Sequence, residues 1–197
     1  MYTPQVTVGF SLLGMTLLAT TAYLGQAELI ERRPELANYQ DAWKSLITPG
    51  KYYLYMRTYE EEPFYGFKQR CVFTELISIN EKENYTVNNF GSLNLKDGSV
   101  KNGTAYAWVK TSDGYPIPNV IESSNTLGKE FTVDYIMAFL EYDNCEIMRL
   151  PHRKNGCELW VKAAEIEKIK SLCFFIYHLL CGPEKYMVYD KELCKGV

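Results

Sequence analysis

The chain has 197 residues, of which 47% are hydrophobic and 23% are charged, so it has enough apolar material for one folded domain and is not a disordered tail. Its 21 Lys and Arg against 24 Asp and Glu give a formal net charge of −3, which argues against a protein that binds nucleic acid through a basic face. Two counts stand out, namely six Cys and 16 Tyr.

Residues 1–27 carry no Asp, Glu, Lys or Arg, and the first charged side chain is Glu28. Residues 10–19 are the most hydrophobic part, and Gly25 and Ala27 then occupy the −3 and −1 positions for signal peptidase. A membrane anchor is the alternative, because no basic residue precedes the apolar run. We favour a signal peptide over residues 1–27, since no basic stop-transfer flank follows it, and therefore a secreted domain over residues 28–197.

After this leader, the pattern predicts a short helix and then many strands. Apolar residues at Tyr39, Ala42, Trp43 and Leu46 have helical spacing, and Pro49 ends that helix. The strands are rich in Tyr, Phe, Val, Ile and Thr, are separated by turn residues, and cover residues 51–59, 67–79, 85–90, 104–110, 119–123, 130–142, 145–150 and 157–161. The spacing of about ten residues per strand and turn favours a meander that closes as a sandwich or barrel.

A second helix is predicted over residues 163–180, where Ile166, Ile169 and later apolar residues recur at helical spacing before Gly182 and Pro183. Because this helix is so apolar, it must pack on another element, and the outside of a closed barrel offers that surface. The fold class is therefore all-β with flanking helices. A closed barrel of eight strands leaves room inside for side chains or for one small ligand.

Secretion is consistent with the cysteines and with two glycosylation sequons. In an oxidising compartment six Cys form up to three disulfides, with fifteen possible connectivities among Cys71, Cys145, Cys157, Cys173, Cys181 and Cys194. Asn84 and Asn102 each begin an N-glycosylation sequon beside turn-forming residues. Two sequons also arise by chance in a chain of this length, so they support secretion without establishing it.

Nothing in the sequence resembles catalytic machinery, because GxSxG, HExxH, Walker and GxGxxG motifs are absent. The two histidines, His152 and His178, lie far apart and no CxxC pair accompanies them, so there is little from which to build a zinc site. A Cys nucleophile paired with a His is less favoured than disulfide use of all six Cys. We therefore expect binding without catalysis, and neither a metal nor a cofactor.

Several short motifs follow one another in a specific order. They are QDAWKSL at residues 40–46, YY at 52–53, YEEEPFYG at 59–66 leading to Cys71, DNCE at 143–146, ELW at 158–160, and finally Cys173 and Cys194. Over residues 39–195 this order resembles the tick salivary histamine-binding lipocalins. The resemblance implies an eight-stranded antiparallel lipocalin barrel, with a short N-terminal helix and a C-terminal helix packed on the barrel. It also implies the disulfides Cys71–Cys194 and Cys145–Cys173, which leaves Cys157 to pair with Cys181.

The activity implied by this resemblance is the sequestration of a host amine, histamine or serotonin. An ammonium group that leaves water needs a carboxylate, and the rest of the ligand needs aromatic walls. Matched by position, Tyr59, Glu62 and Tyr65 correspond to the family's first site. Glu62 stands where an Asp is usual, and Tyr65 stands where a Trp is usual.

Residues of the family's second site also have counterparts. Glu158 and Trp160 correspond to its carboxylate and its indole, and Glu146 stands where another acidic residue occurs. By spacing, Thr104 replaces the acidic residue expected on the fourth strand. The resemblance therefore predicts that part of the amine-binding chemistry is retained.

Arg57 favours a different ligand. On the first strand Tyr53, Tyr55, Arg57 and Tyr59 share one face, and if that face points inward the cavity is aromatic and contains a guanidinium that attracts a carboxylate. Two alternatives for Arg57 stay open, namely solvation at a bulge or strand end and an ion pair with Glu158. Some relatives in the broader tick group hold fatty-acid or leukotriene carboxylates with cavity arginines, so an anionic lipid mediator is the runner-up ligand.

The sequence thus predicts a secreted, monomeric, disulfide-bonded binding protein that captures a small host mediator and so suppresses inflammation or immunity. A biogenic amine is the first candidate ligand. A protein-interaction module that acts through the outer barrel surface is the alternative from another class. We expect no nucleic-acid partner, and no membrane association once the leader is removed.

Overall fold

The computed structural model describes residues 29–62, 66–67 and 69–197, without the side chains of residues 61, 62, 66 and 67. The predicted leader and Tyr65 lie outside the described residues. The described chain begins with two 3-10 helices, Ile30–Arg32 and Pro34–Tyr39, and a short α-helix α1 at Ala42–Leu46.

Eleven strands and a second α-helix follow in the described residues. The strands are β1 Lys51–Arg57, β2 Glu61–Glu62, β3 Gly66–Phe67, β4 Arg70–Asn80, β5 Tyr85–Leu93, β6 Val100–Lys110, β7 Val120–Ser124, β8 Val133–Glu141, β9 Cys145–Leu150, β10 Gly156–Lys162 and β11 Tyr186–Met187. Helix α2 spans Ser171–Cys181, and single 3-10 turns lie at Pro151–Arg153 and Ala163–Glu165.

The eight long strands form one closed antiparallel barrel. Their order is β10-β9-β8-β7-β6-β5-β4-β1, and β1 pairs with β10 to close the sheet. The short strand β11 pairs with β1, while β2 and β3 form a separate ribbon. Each predicted strand corresponds to one barrel strand, so the predicted fold class is confirmed.

The predicted first helix is divided in the structure. The 3-10 helix ends at Tyr39 and α1 starts at Ala42, because the Asp41 side chain accepts a hydrogen bond from the Lys44 backbone N–H at 2.9 Å and caps the new helix. The buried Gln40 between them donates to the Ala138 carbonyl at 3.1 Å. These contacts fix α1 at one end of the barrel.

The predicted second helix is shorter than residues 163–180. It consists of the 3-10 turn Ala163–Glu165 followed, after a break, by α2. Ile166 and Ile169, in the break, still pack against the same core cluster as α2. Apolar spacing therefore predicted that Ile166 and Ile169 pack on the barrel, but it could not show where the helix is interrupted, and Leu172, Phe175 and Leu179, which share that spacing, are exposed.

Three disulfides fasten the chain to the outside of the barrel. They join Cys145 to Cys173 and Cys157 to Cys181, which fix both ends of α2, and Cys71 to Cys194, which fixes the C-terminal segment. This is the pairing that the family resemblance implied. No helix within the described residues has the length and hydrophobicity needed to cross a membrane.

A buried ion pair links the N-terminal segment to the barrel wall. Arg149 on β9 donates from Nε to Glu31 Oε1 at 2.6 Å, and both residues are almost fully buried. The other guanidinium nitrogens donate to the carbonyls of Asn155 and Leu180, each at 2.8 Å. Because each guanidinium nitrogen has a partner, the charge is compensated and three separate segments are held together.

Candidate functional site

The barrel encloses a cavity of about 440 Å³. Helix α1 closes one end, which we call the closed end, through Ser45 and Leu46. Exposed residues rim the opposite end, which we call the rim end, and they include Lys101, Asn125 and Phe131. A cavity of this size takes one small organic ligand.

Side chains that alternate inward along the barrel strands form the cavity wall, which is largely apolar and aromatic. These side chains include Tyr52, Leu54, Phe90, Ile121, Met148 and Trp160. Charged side chains interrupt this wall at only a few positions among the described residues, namely Arg57, Lys101, Glu146 and Glu158. Recognition of a charged ligand group therefore depends on these positions.

Glu146, the first residue after Cys145 on β9, lies near the closed end. Its side chain is 7% exposed and its Oε2 accepts a hydrogen bond from the Ser45 hydroxyl of α1. Burial raises the pKa of Glu146 from 4.5 to about 7, although the Ser45 hydrogen bond lowers it in part. At neutral pH the group is thus close to half ionised, and a ligand cation would favour the carboxylate form.

Tyr52 lines the cavity together with Glu146. Burial and, to a smaller extent, the Glu146 charge raise the pKa of the Tyr52 phenol. The phenol therefore stays protonated at any physiological pH and serves as a hydrogen-bond donor with an aromatic face. Sequence reasoning missed both Tyr52 and Ser45, although the family motifs at residues 40–46 and 52–53 contain them.

Glu158, on β10, is the second cavity carboxylate and is 5% exposed. The Tyr59 hydroxyl donates to its Oε1, and the Trp160 indole donates to its Oε2 at 2.9 Å. Trp160 pairs with Glu146 across β9 and β10, so both carboxylates lie on the same inner wall. The structure thus brings together four predicted site residues, Tyr59, Glu146, Glu158 and Trp160.

The prediction that Tyr53 and Tyr55 share one strand face with Arg57 is wrong. Leu54 pairs with Trp160 while Met56 pairs with Leu159, so β1 carries one extra residue in a bulge between Leu54 and Met56. The bulge reverses the alternation of side chains. Neither Tyr53 nor Tyr55 is among the residues that line the cavity. Tyr53 contacts Phe73 and Tyr189, and Tyr55 contacts Phe174 of α2 at a centroid distance of 5.8 Å.

Arg57, after the bulge, does line the cavity and is only 2% exposed. Its Nη2 donates to the Glu60 carbonyl at 2.7 Å, and its guanidinium carbon lies 4.9 Å from the centre of the Tyr59 ring. Arg57 pairs in register with Glu158, yet no ion pair among the described residues involves Arg57. Solvation at the strand end and an ion pair with Glu158 were therefore both wrong.

The remaining predicted positions are spread over the molecule. Glu62 belongs to β2, but its side chain is outside the described residues, as is Tyr65. Asn84 lies in the exposed turn between β4 and β5, whereas Asn102 is an exposed residue of β6 that lines the cavity beside Lys101. Thr104 is exposed and is not among the residues that line the cavity. Within the described part of the chain, no group of three or more His, Cys, Asp or Glu residues is placed to hold a metal ion.

A closed eight-stranded antiparallel barrel, with an internal ligand-sized cavity and a helix packed outside, defines a lipocalin. Comparison with known families is more specific. Residues 30–196 match the model of the tick histamine-binding proteins, and the chain belongs to that family. The family consists of binding proteins and not of enzymes.

Individual relatives agree with this assignment. The male-specific histamine-binding salivary protein of Rhipicephalus appendiculatus is 29% identical over 170 residues, which cover 82% of this chain and 84% of that protein. AM182, solved in complex with serotonin, superposes with a TM-score of 0.55 at 22% identity over 78% of this chain and 91% of that chain. Japanin from Rhipicephalus appendiculatus, solved with bound cholesterol, gives 0.54 at 14% identity over 75% and 97% of the two chains. The two structural similarities support the fold.

Proposed function

We propose that the protein is a secreted salivary lipocalin that sequesters a biogenic amine of the host, histamine or serotonin, and thereby suppresses inflammation or immunity. The observation that carries this proposal is the Glu146 carboxyl, which is buried in an aromatic-lined cavity and bonded to Ser45. A buried carboxyl without a cation is costly to ionise, and an ammonium ligand removes that cost.

The mechanism follows from the wall of the cavity. The ligand ammonium approaches Glu146, with the protonated Tyr52 phenol beside it. The ring or methylene part of the ligand lies against the apolar wall, where Trp160 offers an aromatic face. Glu158, oriented by Tyr59 and Trp160, adds a second negative group on that wall. The protein then acts stoichiometrically, because a bound amine is withheld from its receptor.

Related proteins support the choice of ligand. One relative that matches most of the chain is named for histamine binding and for saliva, and AM182 was solved with serotonin. Secretion is supported by that salivary relative and by three disulfides, which persist in oxidising compartments.

Isothermal titration calorimetry tests the proposal directly. The mature chain, residues 28–197, is titrated with histamine, serotonin and a leukotriene at pH 7.4. We expect binding of at least one amine, which Glu146→Gln weakens and which Glu81→Gln, a change at an exposed turn residue, leaves unaffected. Absence of heat with both amines contradicts the proposal.

An anionic lipid mediator is the second candidate ligand. Arg57 favours it, because this buried guanidinium lines the cavity and forms no ion pair with the described residues. Lys101 adds a second cation at the rim end. Binding of the leukotriene alone in the same titration, abolished by Arg57→Met, would replace the amine proposal with this one.

Interaction with a host protein through the outer surface is the third candidate. Helix α2 supports it by exposing Leu172, Phe175 and Leu179 along one side. A barrel filled by its own side chains would favour this candidate, whereas the barrel holds a cavity of about 440 Å³. The cavity therefore favours a small-molecule ligand over this alternative.

A further inference from the structure

Arg57 has a hydrogen-bonding group that the protein itself leaves unused. The side chain is 2% exposed, and its Nη2 is bonded to the Glu60 carbonyl. Its Nε is buried and has no hydrogen-bond partner among the residues that the structure describes. A buried unpaired N–H of a cation is costly, and a ligand that fills the cavity would compensate it by presenting an oxygen acceptor.

Gln69, just before β4, supplies a second unused group in the same cavity. Its Oε1 is buried and likewise has no partner within the described chain. A single ligand hydroxyl has the chemistry to satisfy both groups, because it would accept a hydrogen bond from Arg57 Nε and donate one to Gln69 Oε1. A carboxylate has no proton to donate to Gln69 Oε1. It would also approach Glu158, which stands opposite Arg57 in the β1 and β10 register.

The separation between Glu146 and Arg57 indicates how far the ligand hydroxyl lies from the ligand ammonium group. Leu54, Trp160 and Glu146 pair across β1, β10 and β9 in one row, and Arg57 and Glu158 pair in another. The two rows are two residues apart on β10, or about 7 Å at about 3.4 Å per residue. An arylalkylamine places its ammonium and a ring substituent at separate ends, whereas an α-amino acid attaches both charged groups to one carbon.

We propose that Arg57, together with Gln69, determines specificity by selecting arylalkylamines that carry a hydroxyl on the ring, remote from the ammonium group. This inference rests on the proposed amine-binding function and extends it. Glu146 provides affinity for any ammonium group, while Arg57 and Gln69 distinguish one amine from another.

Serotonin and tryptamine are the probes that test this, because they differ only in the ring hydroxyl. Calorimetry on the mature chain should show serotonin binding at least about tenfold more tightly than tryptamine, since a site built around a hydroxyl disfavours the analogue that lacks it. Arg57→Met should reduce serotonin affinity by about tenfold or more and change tryptamine affinity by less than about threefold, so that the preference disappears. Gln69→Leu should weaken the preference in the same direction.

Control variants separate this inference from the function on which it rests. Glu146→Gln should weaken serotonin and tryptamine by similar factors. Equal affinity of the wild-type protein for serotonin and tryptamine, or binding of histamine alone, overturns the inference but leaves amine binding intact. Absence of binding by serotonin, tryptamine and histamine alike overturns both proposals. If Arg57→Met does not fold, as judged by circular dichroism, the wild-type comparison and Gln69→Leu decide the question.

Discussion

The Trp160 indole donates a hydrogen bond to the Glu158 carboxylate at 2.9 Å, between two residues that point to the same side of β10. Tyr59 donates to the other oxygen of the same carboxylate. These two hydrogen bonds hold the Glu158 carboxylate in one orientation in the cavity wall. An aromatic face and an acidic group are thereby presented side by side, which is the arrangement an arylalkylamine needs.

Glu158→Gln should lower amine affinity by about tenfold or more, because a charge-assisted contact is replaced by a neutral one of the same shape. Calorimetry with histamine and serotonin measures the change. Glu81→Gln is the matched control, since Glu81 is exposed in the turn between β4 and β5. Unchanged affinity in Glu158→Gln would remove this carboxylate from the site.

Amine affinity should decrease on acidification below neutral pH. Burial raises the pKa of Glu146 to about 7, and only its carboxylate form attracts an ammonium. The affinity for serotonin should therefore fall by about tenfold per pH unit between pH 7 and pH 5, over which its ammonium group stays protonated. Calorimetry across this range measures the slope. In Glu146→Gln the affinity should be low and nearly independent of pH, and a steep slope in that variant would assign the titration to another group.

The same group should make folding stability dependent on pH. The pKa of Glu146 is about 7 in the folded protein and 4.5 in the unfolded chain, so the folded protein binds the proton more tightly. The stability that this proton adds to the fold is complete below pH 4.5 and is lost as the pH rises through 7. The loss amounts to at most roughly 3 kcal/mol of unfolding free energy. Urea titrations at pH 4.5 and pH 8 compare the wild type with Glu146→Gln. The variant should gain stability relative to the wild type at pH 8, and an unchanged difference between the two pH values would contradict this.

The sequence predicted the barrel well because strand formation depends on features that are local. Runs such as residues 145–150 are bounded by turn residues, and the structure places β9 at Cys145–Leu150. The inward face of β1 could not be predicted, since alternation fails at the bulge between Leu54 and Met56, which depends on pairing with β10. Without the bulge, Arg57 would share a strand face with Tyr53. In the structure Arg57 lines the cavity and Tyr53 does not.

The site was predicted in part, through family resemblance and not through periodicity. Glu146, Glu158 and Trp160 do line one cavity, as the resemblance implied. Ser45 was not predicted as a site residue, because its hydrogen bond to Glu146 depends on how α1 packs against the closed end of the barrel. The spacing of residues along the chain contains no information on that packing. The hydrogen bonds of Arg57 could not be predicted from the sequence either. Its position on the strand was compatible with contact to a ligand, with solvation and with an ion pair to Glu158.

The buried pair of Glu31 and Arg149 should behave as a unit in a double-mutant cycle. Arg149→Met leaves the Glu31 carboxylate buried without its cation, and such a loss costs about 3–5 kcal/mol of unfolding free energy. Removing both charges in Glu31→Leu with Arg149→Met should cost less than the sum of the two single changes, because neither charge is then left uncompensated. Urea unfolding with disulfides intact measures all four proteins. Additive costs would contradict the coupling of Glu31 and Arg149. They would show that Arg149 stabilises the fold through its bonds to Asn155 and Leu180 and not through the ion pair. Amine affinity should be unchanged in every folded variant, because neither residue lines the cavity.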